Sequence, residues 1–196
     1  MVNYREVIQN IEVAKSFNVK DELQHLPVEQ IRKYQPKNNF AIACMNITGS
    51  LNIGNITRSA VLFGAQKMFI FGRTKYDKRS TVGAENYIDI ETHSCMIDPL
   101  TIDYDHAINY IDTTHLPVFV EYTNTAIDIN EYRFSEMCTP CFIFGNEGFG
   151  IPDEILSKYS NFDVVKINQY GVMRSLNVAT TAGIVMHTYV SNHVKK

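Results

Sequence analysis

Hydrophobic positions change their rhythm at Pro36. Ahead of it, Val7, Ile8, Ile11 and Ala14 recur three and four residues apart, which predicts a helix over residues 4–17. A second, short helix is expected to open at Pro27, because proline fits the first helical position, where no intrahelical N–H is needed. Beyond Pro36, short apolar runs rich in branched and aromatic side chains alternate with helical stretches. Residues 40–45, 67–71, 118–122, 141–144 and 162–167 have strand length and composition. Helical spacing is expected near 53–65, 101–112, 152–159 and 176–192. Such alternation predicts an α/β fold with a mostly parallel sheet flanked by helices, whose ligands bind beyond the carboxyl ends of the strands. The division expected is an N-terminal helical extension, residues 1–37, followed by one α/β domain, residues 38–196.

Composition narrows the class. The 196 residues are 45% hydrophobic and 20% charged, enough for a substantial core. No apolar run approaches the ~18 residues of a membrane span, and the first residues lack the basic-then-apolar pattern of a secretory signal. A cytoplasmic protein with no membrane partner is therefore expected. Of the four cysteines, Cys44, Cys95, Cys138 and Cys141, only the last two have C-x-x-C spacing. A zinc site lacks its second pair of ligands, so no metal is expected and a reduced pair at the start of an apolar strand is the simpler reading. With net charge −3 the chain is not a globally basic nucleic-acid binder, and any RNA contact must be local. One stretch qualifies: Arg73, Lys75, Lys78 and Arg79, with Tyr76 among them, suit phosphate contacts and stacking on a base, although a solvated loop has the same composition.

Three segments place polar groups where strands end. The first runs from Asn46 to Ala60 and opens a helix on which Ile53, Ile56, Ala60 and Phe63 share a face. At about 100° per residue, Arg58 points nearly opposite that face. Asn52 stands near the helix mouth, as a cap or as a contact for a polar substrate group. In the second, the apolar run Phe142-Ile143-Phe144 enters Gly145-Asn146-Glu147-Gly148-Phe149-Gly150-Ile151, where glycines let a ligand approach the backbone beside one carboxylate. This spacing is neither G-x-G-x-x-G nor a loop ending in G-K-[ST], so dinucleotide and triphosphate cradles are excluded. The third, residues 164–183, is strand, glycine-containing loop and helix, with Ser175 able to cap a helix that carries Ala179, Gly183, Met186 and Val190 at helical spacing.

Together the three segments resemble the SpoU/TrmH-type members of the SPOUT methyltransferase superfamily. Residues 52–60 meet N-x-G-N-x-x-R-[ST]-A, residues 145–151 meet G-N-E-G-x-G-[IL], and residues 171–178 meet G-x-x-x-S-L-N-V, in the family's order. The likeness covers about residues 38–196. It implies a SPOUT-type α/β knot, in which a C-terminal segment threads a loop, an exception to unknotted connectivity. It also implies a ribose 2′-O-methyltransferase acting on structured RNA, tRNA in preference to rRNA, with S-adenosylmethionine as methyl donor and a homodimer as the assembly.

By the same resemblance Arg58 activates the hydroxyl, Asn52, Ser175 and Asn177 hold the site, and Glu147 organises it. Gly145, Asn146, Ile167 and Leu176 contact the donor, and Gly171 lets the cofactor loop close. A guanidinium, with a pKa above about 12, is a poor proton acceptor, so anchoring a phosphate is an equal role for Arg58. Asn168-Gln169 stands where relatives commonly carry a proline, which changes the expected shape of the cofactor loop. The extension and the 73–79 loop are the expected RNA-binding surfaces.

Overall fold

The computed structural model describes residues 19–73 and 75–193, so the helix expected over residues 4–17 lies outside the described residues. Seven strands form one sheet: β1 (Ala41–Met45), β2 (Lys67–Phe71), β3 (Asp89–His93), β4 (Leu116–Val120), β5 (Ile127–Asp128), β6 (Pro140–Phe144) and β7 (Asp163–Lys166). Their order is β3-β2-β1-β6-β4-β7-β5, and every pairing is parallel. Parallel strands covered on both faces read as continuous apolar runs, and β1 and β6 are buried at every position. Alternate residues serve opposite layers. Ile42, Cys44, Met68, Ile70, Phe142 and Phe144 pack on one face, whereas Ala41, Ala43, Met45, Phe69, Phe71 and Ile143 pack on the other.

Helices α1 (Val28–Tyr34), α2 (Ser50–Leu62), α3 (Tyr104–Asp112), α4 (Asp153–Lys158) and α5 (Val178–His193) complete the described fold. The first face is covered by α2, through Ile53, Ile56 and Ala60, and by α5, through Ala179, Ala182, Val185, Met186 and Tyr189. Ala107, Ile108 and Ile111 of α3 cover the second. The side chain of Asp103 starts α3 by accepting the His106 N–H at 2.9 Å. Helix α1 is tied down through Ile31, its one buried residue, and through Gln35, whose amide donates to the Val61 carbonyl at 2.5 Å.

Two strands were not expected. β3 and β5 lie at the edges of the sheet, and an edge strand buried on few positions carries polar residues that hide its pattern, as Asp89, Glu91, Thr92 and His93 do. Strand β4 ends at Val120, short of the expected residue 122, although the Glu121 N–H still donates to the Val165 carbonyl of β7 at 3.0 Å. Pro27 sits at the N-cap of α1, one position ahead of the first helical residue. The stripe of α5 is rotated from the expected one: Ala179 and Met186 are buried, but Gly183 and Val190 are only half-buried. Gly183 faces α2, where an added Cβ would stand 3.7 Å from the Ser59 Oγ. Among the described residues no helix is long and apolar enough to cross a membrane.

Candidate active site at the carboxyl edge of the sheet

All three segments singled out above meet where β1, β6 and β7 end. Glu147 is the hub. Its Oε1 accepts from the Gly49 N–H at 2.8 Å and from the Asn52 side-chain amide at 3.0 Å, and its Oε2 accepts from the Thr48 N–H at 3.0 Å. A carboxylate therefore stands at the amino end of α2, where unpaired N–H groups and the helix dipole favour negative charge. Burial pushes the Glu147 pKa up, but the hydrogen bonds from Asn52, Thr48 and Gly49 outweigh it, and the carboxyl ends below the ordinary glutamate value. This support explains why α2 begins at Ser50, three residues before the sequence places it. Asn52 is accordingly no cap; it lies inside the first turn and joins the segments.

Asn177 extends the chain of contacts. Its amide donates to the Asn52 Oδ1 at 3.0 Å, while its own Oδ1 accepts from the Ala179 and Thr180 N–H groups at 2.9 and 3.2 Å. It thus caps α5, a role the sequence reading gave to Ser175, which lies exposed two residues earlier. The line Asn177, Asn52, Glu147 links residues from all three motifs.

The glycine turn after β6 is held from both sides. Asn146 and Gly150 exchange backbone hydrogen bonds of 3.2 and 2.9 Å, and the Asn146 side chain donates to the Asn46 carbonyl at 2.8 Å. From the β4 side, the Glu121 Oε2 accepts from the Ile151 N–H at 2.9 Å. Gly145 is required by close approach: a Cβ there would lie 2.4 Å from the carbonyl carbon of Gly150. Gly150 has φ +68°, and its added Cβ would meet the Glu121 carboxylate at 2.3 Å. Gly171 is different. A Cβ there would touch nothing within 4 Å and its φ is not positive, so the loop needs no glycine at that point for closure.

Between the turn and the loop over residues 167–177 lies a cleft of about 820 Å³. It is lined by Gly145, Asn146, Glu147, Ile167, Gly171, Ser175, Leu176, Asn52 and Asn177, and by Glu121, which the sequence reading missed. The signal for Glu121 was a charged residue directly following an apolar strand at the ligand edge of the sheet. Arg58 is exposed and opens onto a second cleft, of about 710 Å³, which Asn177 shares with the first. The wall of this second cleft includes Val19, Lys20, Leu23, Ile31 and Tyr34, so the described part of the extension borders Arg58.

The basic loop is more structured than its composition suggests. Asp77 caps a turn over Lys78–Thr81 and its carboxylate pairs with the Arg79 guanidinium at 2.6 Å, while Arg73 donates to the Pro99 carbonyl at 3.3 Å. Lys75 and Lys78 are exposed. Tyr76 is half-buried against the core. The loop touches α2 through Ser50, whose Oγ accepts from the Asp77 N–H and whose carbonyl accepts from the Ser80 hydroxyl. Cys138 is exposed, Cys141 is buried, and neither is in a disulfide. Among the described residues no group of three or more His, Cys, Asp or Glu is placed to hold a metal.

Similarity to known proteins extends to the family and the fold. The model of the SpoU rRNA Methylase family matches residues 39–187. A tRNA (guanosine(18)-2'-O)-methyltransferase of Saccharomyces cerevisiae is 30% identical over 76 residues, which is 38% of this chain and 5% of that protein. The mouse tRNA (guanosine(18)-2'-O)-methyltransferase TARBP1 is 26% identical over 147 residues, 70% of this chain and 8% of that protein. The chain thus spans less than a tenth of the length of either relative. Among solved structures, an AdoMet-bound rRNA methyltransferase from Sinorhizobium meliloti superposes with a TM-score of 0.66 at 21% identity, over 87% of this chain and 62% of the other.

Proposed function

The chain belongs to the SpoU rRNA Methylase family, and from that premise we propose that it methylates a ribose 2′-hydroxyl of structured RNA, tRNA in preference to rRNA, with S-adenosylmethionine as donor. The observation that carries this reading is the hydrogen-bonded line Asn177, Asn52, Glu147, which gathers the three motif segments at the junction of two clefts. The preference for tRNA rests on what the two curated relatives are named for.

The first cleft suits the donor chemically. Its size is that of a small-molecule site, its walls mix apolar Val120, Ile167, Leu176 and Val178 with the carboxylates of Glu121 and Glu147, and glycine at 145 and 150 leaves bare backbone along one side. Gly145, Asn146, Ile167, Gly171 and Leu176 would hold it. When bound, the donor supplies an electrophilic methyl on a sulfonium. The bond formed is from that carbon to the ribose O2′, the bond broken is carbon to sulfur with its electrons left on sulfur, and the hydroxyl proton must leave. Alignment of this kind can supply about 7–11 kcal/mol of a barrier. Arg58, exposed beside Asn177, anchors the phosphate of the acceptor nucleotide, and a phosphate oxygen takes the proton that a guanidinium accepts poorly. Ser175 and Asn177 confine the ribose.

RNA reaches Arg58 along the second cleft, with the described part of the extension as one wall and Lys75 and Lys78 nearby on the loop tied to Ser50. Arg73 and Arg79 contribute less, since each is already engaged. Tyr170, Val172 and Met173 are 93%, 101% and 75% exposed, an apolar edge that supports a homodimer covering the cofactor loop. The threaded knot belongs to the same proposal.

Incubation with total RNA and methyl-labelled donor, followed by nucleoside analysis, tests the reading. The wild type is expected to yield a 2′-O-methylnucleoside that is lost in Arg58→Ala. Label on a base, or none in the wild type, would overturn it. Charge reversal of Lys75 and Lys78 together is expected to lower the slope of log affinity against log salt by about 1.5.

A further inference from the structure

Glu121 does two things at once. Its Oε2 accepts the Ile151 N–H and its Oε1 accepts the Tyr122 N–H at 2.9 Å each, which fixes the carboxylate at the end of β4. It also lines the first cleft, so the same fixed group faces the space where a ligand would lie. The sheet order β1-β6-β4 places it across the glycine turn from Glu147. Glu147 spends its oxygens on the amino end of α2, whereas each Glu121 oxygen accepts one hydrogen bond among the described residues and retains acceptor capacity. An acceptor-only carboxylate immobilised in a nucleoside-sized cleft matches vicinal hydroxyls, the chemistry by which acidic side chains recognise a ribose diol in nucleotide-binding folds.

We propose that Glu121 binds the 2′,3′-diol of the donor's adenosyl ribose. This rests on the donor reading given above and adds a residue and a direction to it: the nucleoside end lies on the β4 side of the glycine turn, and the reacting end on the α2 side, beside Asn52 and Asn177. The neighbourhood agrees with that polarity. Lys166, the nearby cation, is engaged with the Thr123 carbonyl at 3.0 Å and lies over the Tyr122 ring, so it does not neutralise Glu121 by direct pairing.

The test is calorimetric and requires no turnover. Wild type and Glu121→Gln are titrated with S-adenosylhomocysteine and with its 2′-deoxy and 3′-deoxy ribose analogues. A glutamine keeps one oxygen to accept the Ile151 N–H, and thermal unfolding checks that the variant is folded. The wild type is expected to bind at least one deoxy analogue about tenfold more weakly than the parent, the scale of one charge-assisted hydrogen bond. In Glu121→Gln the parent should weaken by a similar factor and the discrimination should shrink toward unity. Equal binding of all three ligands by the wild type overturns the assignment without any mutant. Discrimination unchanged in a folded Glu121→Gln overturns it too and leaves the donor reading standing. No heat with any ligand in the wild type overturns the donor reading and this inference together.

Discussion

The glycine turn over residues 145–151 and the loop over residues 167–177 line the same cleft, carry the same kind of sequence signature, and are built in opposite ways. In the turn, backbone exchange between Asn146 and Gly150, the Asn146 side chain and the Glu121 carboxylate tie the polar groups, and Gly145 and Gly150 are demanded by contacts shorter than 3 Å. In the loop, residues 170–177 are all exposed, the glycine is free of steric demand, and side-chain ties are sparse: Gln169, with its amide turned to donate, reaches the Met173 and Arg174 carbonyls at 3.1 Å, and Asn168 bonds outward to Asp128 of β5. A motif can thus be written either by the requirements of the fold or by those of a ligand and a partner. The turn belongs to the first kind, and the proposed donor site and homodimer assign the loop to the second.

The sharpest way to break this contrast is to place the same methyl group in both. Gly145→Ala drives a Cβ into the Gly150 backbone and should cost about 3 kcal/mol in chemical denaturation, whereas Gly171→Ala should change stability by less than about 0.5 kcal/mol. Equal effects would remove the distinction. Next in size, Glu147→Ala strips the amino end of α2 of its carboxylate and should cost about 2 kcal/mol, with α2 amides near Gly49 exchanging faster with solvent.

A smaller effect is expected from pH. The folded-state pKa of Glu147 is lowered, so its contribution is complete above the ordinary glutamate value and is lost as pH falls toward the folded pKa. Glu91 behaves alike at the far edge of the sheet, where hydrogen bonds from Lys67 first, then Tyr110 and His93, hold it at about 2. The difference in unfolding midpoint between wild type and Glu147→Gln, followed through the acid range, isolates the cleft from that edge; a difference independent of pH would contradict the assignment. Smallest of all, Ser175→Ala should leave the unfolding midpoint within a degree or two, about the effect of a neutral surface change, while lowering methyl transfer.

Much of this was legible in the chain. The central strands were readable because burial on both faces makes β1 and β6 uninterrupted apolar runs and keeps β2 apolar after Lys67, and Arg58 was readable as solvent-facing from helical angle alone. Strands β3 and β5 were hidden because edge positions tolerate Glu91 or Asp128. Residues joined across the fold were hidden for a different reason. That Glu147 would start α2 from 98 residues away depends on where other elements stop, and no local preference encodes it; the Asn177 cap is local, but asparagine and serine cap equally well, so the choice turned on where α5 begins. Glu121 was overlooked because a strand that ends two residues early turns an apparent strand residue into a wall of the cleft.

The pairing of β1 with β6 has a consequence for how the chain comes into being. Residues 41–44 find their neighbours at 141–144, so the middle of the sheet waits on some hundred residues of synthesis before it can close. Until then Phe40, Ile42 and Cys44 have no β6 beside them, and a nascent chain halted before that point would offer these side chains to chaperones or to other unfinished chains.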